Sequence, residues 1–172
     1  VTSTPAAASV PQVWLLGSSD YSARLAARLG LPYVFANHFG APGLERALEH
    51  YRSAYEPSEA HPVPVTMLTM NVVVAETAEE AQRRALPQAR GFARLRSGRP
   101  LLAMETIEAA LAAPDAELDA AAAAVAAQWI VDAPAAAAAR IRTLATTHGV
   151  DEVMLSPSAG SYADEPLDAS PG

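Results

Sequence analysis

Apolar positions along the chain follow two rhythms. VWLL (13–16), LPYVFANHF (31–39), the long HPVPVTMLTMNVVVAET (61–77) and VDEVML (150–155) are short continuous runs, rich in β-branched and aromatic residues. Runs of that length and type predict buried strands. Between them the apolar residues recur at helical spacing. DYSARLAARL (20–29) puts Leu25, Ala26 and Leu29 on one side and Arg24 and Arg28 outside. Ser19 or Asp20 suits its N-cap, and Gly30 stands where a terminating glycine belongs. APGLERALEHYRSAY (41–55) has Pro42 near its first turn. TAEEAQRRALPQARGFARLRSG (77–98) sets Thr77 and Glu80 at capping-box spacing, and its Pro87 predicts a kink or a split. Residues 101–130 read as alanine-rich helix interrupted at Pro114 and Asp115. Asp132 is expected to cap a helix from Pro134 to Thr147, which His148-Gly149 ends.

Strand then helix, four times over and without a closing helix, predicts a parallel sheet covered by helices. An open doubly wound sheet and a segment of a (β/α)₈ barrel both fit. A complete barrel needs roughly 250 residues, so the 172 residues here favour the open sheet on length alone. No internal repeat has a fixed period.

Composition narrows the function classes. Half of the residues are hydrophobic (51%) and 18% charged, which excludes global disorder and fits one domain with a real core. A net charge of −7 and a pI near 5.0 exclude a basic surface for nucleic acid or anionic membrane. The absence of cysteine excludes disulfides, thiolate zinc sites and a cysteine nucleophile. No apolar run approaches the roughly 18–20 residues of a membrane span. VTSTPAAASVPQ lacks the basic start and apolar core of a signal peptide, so a cytoplasmic setting is expected. The Ser/Thr/Ala/Pro opening and the closing ASPG turn read as cut ends, an expectation that the chain is truncated on both sides.

Chemistry concentrates in VWLLGSSDYSARLAARLGLP. A strand that ends in Gly-Ser-Ser and enters a helix presents free backbone N–H groups, the positive helix end and hydroxyls, a setting for a dianionic phosphate. Gly17 permits close approach, and Ser18, Ser19 and Ser22 offer donors within one turn. There is no P-loop lysine and no G-x-G-x-x-G, so neither a nucleoside triphosphate nor a Rossmann dinucleotide is indicated.

The run PQVWLLGSSDYSARLAARLGLPYVFANHF (11–39) resembles the bacterial luciferase-like flavin monooxygenases. It is most similar to the small single-component members whose phosphate loop reads W-L-L-G-S-S and whose next strand ends in Ser/Asn-His-Phe. MNVVVAETAEEAQ resembles the family's seventh strand and helix, QWIVDAPAAAAARI the loop and helix before the last strand, and VDEVMLSPS the eighth strand. The resemblance implies a partial (β/α)₈ TIM barrel, strands five to eight, with residues 1–172 as its C-terminal half. It also implies bound FMN, reduced and supplied by a flavin reductase, with O₂ and a small organic substrate, in a homo-oligomer at full length. Carried over, Gly17, Ser18 and Ser19 form the phosphate loop: the Ser18 and Ser19 N–H groups and the Ser19 hydroxyl hold the phosphate, and Ser22 faces it from one turn into the helix. The family's arginines and flavin-ring pocket fall in the other half, so this half alone is expected to be inactive and to bind FMN poorly. Asp132 stands where family members often carry glycine. A non-catalytic flavin-binding protein of the same fold and a deazaflavin-dependent oxidoreductase are the alternative readings.

His38 ends a predicted strand, where barrel enzymes place functional groups. It is either a histidine hydrogen-bonded in the barrel mouth or a group beside flavin or substrate, able to donate to a peroxide or carbonyl oxygen. Strand alternation among Asn37, His38 and Phe39 would keep all three from lining one pocket. His50, His61 and His148 are expected to be solvated, and no pair of them has metal-ligand spacing, so no metal site is expected. Met67, Met70, Trp14 and Trp129 read as packing residues, and Asn71 as making a core hydrogen bond. Nothing pairs a histidine with the loop serines, so no Ser-His-Asp triad is expected.

Overall fold

The computed structural model describes Ser9 and residues 11–40 and 42–166. The ASPG turn and most of the opening stretch lie outside the described residues. In chain order the elements are β1 (Leu15–Gly17), α1 (Asp20–Arg28), β2 (Tyr33–Phe35), a 3₁₀ turn (Asn37–Phe39), α2 (Leu44–Ser53), β3 (Thr66–Val74) and α3 (Ala78–Ser97). Then follow α4 (Ile107–Ala112), α5 (Ala116–Ala126), β4 (Ile130–Asp132), α6 (Pro134–His148) and β5 (Glu152–Pro157).

Every strand pairing is parallel, and β3 organises the sheet. Its start pairs with β2 (Tyr33 beside Thr66), its end with β4 (Val72 beside Ile130), and Met67–Val72 with all of β5. Met67 has partners in both β2 and β5, and Val72 in both β4 and β5, so β2 and β4 share one edge of β3 and β5 occupies the other. β1 lies beyond β2. Residues 130–132, read from the sequence as the end of an alanine-rich helix and the loop and cap that follow it, form β4 instead. Ile130 and Val131 are β-branched and find the free end of β3, which only the tertiary fold reveals.

One face of the sheet carries the main core. Tyr33, Phe35, Leu68 and Met70 lie at 2% exposure or less against Ala23, Ala26 and Ala27 of α1, Ala47, Leu48 and Tyr51 of α2, and Ala137 of α6. Parallel strands with α1, α2 and α6 gathered on one face form part of a (β/α)₈ barrel, while α3 and α5 pack on Val73 and Val131, which point the other way at the C-terminal end of β3. A second cluster forms where Ala81, Ala85, Ala89 and Ala93 of α3 meet Leu118, Ala122 and Val125 of α5, closed by Val73 and Trp129. Small residues at that spacing let two helices approach closely.

Several expectations are corrected. The split allowed for at Pro87 does not occur: α3 runs from Ala78 to Ser97, and the Pro87 ring packs, fully buried, against Gly160. Asp132 ends β4; Ala133 is the N-cap of α6, Pro134 fills its first position, and the Asp132 carboxylate accepts from the Ala133 N–H at 2.8 Å. Thr77 does cap α3, accepting from the Glu80 N–H at 3.2 Å. The reciprocal half of the box is missing because the Glu80 carboxylate is engaged by Arg83, Arg84 and the Tyr162 hydroxyl. β1 and β5 are less buried than their apolar sequences imply: Leu16 is 55% exposed and Met154 50%. Leu15 and Val153 pack partly buried against the core, whereas Leu16 and Met154 point to the face opposite α1, α2 and α6.

Candidate functional site

Two loops emerge side by side from the C-terminal ends of β1 and β2. The first runs from Gly17 into α1. Ser19 takes an extended conformation as the N-cap, and its hydroxyl accepts from the Ser22 N–H at 3.3 Å. Ser22 reciprocates: its Oγ accepts from the Ser19 N–H at 3.2 Å and donates to the Ser19 carbonyl at 2.7 Å. The hydroxyl of Tyr33, reaching across from β2, touches Ser22 Oγ at 3.2 Å and donates to the Gly17 carbonyl at 3.2 Å. Burial pushes the Tyr33 phenol up from its ordinary value, with the Ser22 bond pulling the other way, so it is a neutral donor here. A Cβ on Gly17 would collide with Cβ and Oγ of Ser22; glycine is what lets the loop close over its own cap.

Of the loop residues expected to face a phosphate, Ser19 is exposed and Ser18 half-buried, while Ser22 is buried and its hydroxyl makes its contacts within the loop. Asp20, in the first helical turn, would oppose an anion, but its carboxylate is drawn to α2, 3.0 Å from Arg46 Nε and 3.8 Å from His50 Nε2. That contact also leaves His50 half-buried, where solvation was expected; His61 and His148 are half-buried too.

The second loop holds His38. Asn37–Phe39 form a 3₁₀ turn in place of the expected strand end, so strand alternation does not apply, and Phe39 lies outward at 54% exposure. Three side chains from β3 and beyond fix this turn. Thr69 Oγ1 accepts from the His38 backbone N–H at 3.2 Å, lies 2.6 Å from the His38 ring Nδ1, and donates to the Phe35 carbonyl at 3.1 Å. Asn71 donates to the His38 carbonyl at 2.8 Å and accepts from the Ser158 hydroxyl at 3.3 Å. Arg96 donates to the Phe39 carbonyl at 2.6 Å. Gly40 closes the turn at φ +62°, its missing side chain leaving room for Gln128 and Arg96. Desolvation lowers the His38 pKa from the ordinary histidine value, so the ring is neutral at pH 7.

Asn71 therefore makes the core hydrogen bond expected of it, and Met70 and Trp129 are core residues, Trp129 edge-on to Phe92. Sequence reasoning missed Thr69, Tyr33 and Ser158. A signal existed for the first: Thr69 and Asn71 stand two apart in an apolar strand, polar residues on one face of β3 alternating with Leu68 and Met70 on the other. Among the described residues no three His, Asp or Glu side chains lie together as a metal site would require.

The chain matches the family model described as luciferase-like monooxygenase over residues 1–152. It belongs to the luciferase-like monooxygenase family. A luciferase-like monooxygenase of Escherichia coli (strain K12) is 44% identical over 86 residues, which cover 50% of this chain and 26% of the relative. The Bacillus subtilis (strain 168) protein YvbT is 43% identical over 88 residues, 51% of this chain and 26% of that one. Among solved structures, apo-MsnO8 superposes with a TM-score of 0.76 at 29% identity, over 94% of this chain and 49% of MsnO8. The FMN complex of the oxygenating constituent of 3,6-diketocamphane monooxygenase, from the CAM plasmid of Pseudomonas putida, shares the fold, with a TM-score of 0.52 at 20% identity over 91% of this chain and 44% of that one. This family member thus aligns with about a quarter of its curated relatives' length and about half of the solved barrels.

Proposed function

We propose that residues 1–172 are the C-terminal half of an FMN-dependent luciferase-like monooxygenase that oxygenates a small organic substrate with O₂, its reduced flavin supplied by a reductase. The observation that carries this reading is a coincidence: the family match covers the strand–loop–helix that sets a half-buried Ser18 and an exposed Ser19 at a helix N-terminus. The FMN present in the diketocamphane enzyme's complex supports flavin as the ligand.

The residues fit a phosphate. Ser18 and the first turn of α1 offer backbone N–H groups, Ser19 an exposed hydroxyl, and the helix dipole a partial positive charge. Ser22 and Tyr33 hold the loop in that shape from beneath, and Arg46 removes the charge of Asp20 from it. Reduced FMN supplies the chemistry with O₂ when bound; this chain supplies the anchor, the orientation and one wall of the barrel mouth. A helix terminus contributes about 0.3–1 kcal/mol to an exposed anion, so the loop alone holds FMN weakly and the rest of the grip comes from the other half of the barrel.

Fluorescence titration with FMN tests the reading. Replacing Ser19 with glycine removes the hydroxyl while preserving most of the cap, so S19G is expected to weaken FMN binding several-fold with little change in melting temperature. Equal FMN affinity for wild type and S19G would overturn the phosphate assignment. Preference for a 5-deazaflavin over FMN would replace the oxygenase with the hydride-transferring alternative.

A further inference from the structure

The Thr69 hydroxyl has one proton to give and two lone pairs, and it has three neighbours: the Phe35 carbonyl at 3.1 Å, the His38 backbone N–H at 3.2 Å and the His38 ring Nδ1 at 2.6 Å. One assignment satisfies all three. The proton goes to the carbonyl, which can only accept; one lone pair takes the backbone N–H, which can only donate. The remaining lone pair then faces Nδ1, so Nδ1 must carry the hydrogen. Giving the hydroxyl proton to Nδ1 would leave oxygen facing oxygen at Phe35.

We infer that Thr69 is a positioning residue that fixes His38 as its Nδ1–H tautomer, so that the ring presents an unprotonated Nε2 at the barrel mouth. Nε2 makes no hydrogen bond among the described residues, and no unpaired side-chain nitrogen or oxygen among them is buried, so this atom is open to a ligand. Asn71 and Arg96 hold the turn that carries it through the carbonyls of His38 and Phe39. The consequence reverses the role expected from sequence. A neutral His38 locked this way cannot donate to a peroxide or carbonyl oxygen through Nε2; it accepts, and it suits a ligand group that brings its own proton, a hydroxyl or an N–H. The inference rests on the proposed site only for the identity of that ligand; the tautomer itself stands on this chain's own contacts.

Two-bond ¹H–¹⁵N correlation spectra of the histidine rings, recorded on the full chain without flavin above the histidine titration, read the tautomer directly. His38 is expected to show a protonated, pyrrole-type Nδ1 and a bare, pyridine-type Nε2. Thr69→Val removes the acceptor and should exchange the two ¹⁵N positions, and Thr69→Ser, which keeps the hydroxyl, should restore the wild-type pattern. A pyridine-type Nδ1 in the wild type would overturn the inference, and needs no variant to fold. So would an unchanged pattern in a folded Thr69→Val. Because no flavin is present, failure of FMN binding leaves this result untouched, and loss of the tautomer leaves the phosphate loop untouched.

Discussion

On one side of β3, Leu68 and Met70 are sealed under α1, α2 and α6 by apolar contact alone; on the other, where α3 and α5 cover Val73 at the C-terminal end, Thr69 and Asn71 are just as buried, at 2–3% exposure, and are held by hydrogen bonds to the His38 turn, the Phe35 carbonyl and Ser158. Around that polar pair the same face leaves large apolar side chains in the open, Leu16 and Met154 among them. The helix-clad face builds stability through area, at about 25 cal/mol per Å². The bare face is built for placement: its polar groups pin His38, and its apolar rim is the inner wall of a barrel whose other strands the described residues do not supply. A protein surface rarely leaves such side chains together unless something covers them.

The sharpest way to break that contrast is to mutate across it. In chain dilute enough to be monomeric, Phe35→Ala, on the helix-clad face, is expected to lose about 3–5 kcal/mol in denaturant unfolding, whereas Leu16→Ala, on the bare face, should change stability by no more than about 0.5 kcal/mol. Comparable losses would mean the bare face is already covered in solution. Sedimentation tests that directly: the 172-residue chain is expected to self-associate through Leu16, Met154 and their neighbours. A sharp monomeric boundary with cooperative melting would contradict it.

Next in size is Arg90. Its side chain is 3% exposed, held by Asp119 at 2.6 Å, Glu105 at 3.4 Å and the Ala113 carbonyl at 3.3 Å. Arg90→Ala strands those partners and should cost about 1–3 kcal/mol by thermal melting. Smaller again is Tyr33→Phe, which removes the hydroxyl beneath the serine loop and should cost about 0.5–1.5 kcal/mol, with a larger proportional effect on FMN affinity than on stability. The smallest effect is His38 itself. Its folded pKa lies below the unfolded value, so the unfolded chain takes up the proton first. Its contribution is complete above the ordinary histidine range near ~6.5 and is lost as pH falls from there through the folded pKa. An NMR titration should find His38 below that value, and His38→Gln should flatten the acid side of the stability profile.

Local chemistry made much of the fold legible. Ser19, Gly30, Thr77 and Gly149 mark helix ends because capping is settled within one turn, and all four stand at or next to the ends observed. Long-range choices were not legible. Arg90 looks like any other arginine on a charged helix until α4 and α5 fold over it. Ile130–Asp132 becomes a strand only because the end of β3 has a vacant edge. At the candidate site the serines and His38 were visible as residue types, but the division of labour was not. Whether Ser22 faces a ligand or its own cap, and which nitrogen of His38 is bare, depend on Tyr33 and Thr69, 11 and 31 residues further along.

β3 also sets the order in which the chain can assemble. The start of its first edge is filled by β2, close in sequence, but the end of that edge waits for β4 and the second edge for β5, which Asp151 delivers by accepting from the Thr66 N–H and hydroxyl across 85 residues. Arg52 secures the arrival, reaching the carbonyls of His148 and Gly149 at the end of α6. Closing so long a loop adds only logarithmically to the free-energy cost, yet parallel pairings between distant segments form slowly. For that interval an apolar strand stands with one side unpaired, open to any other chain in the same condition. Refolding yield should therefore fall with protein concentration, and the survival of the native chain is decided by how quickly β5 reaches its place beside β3.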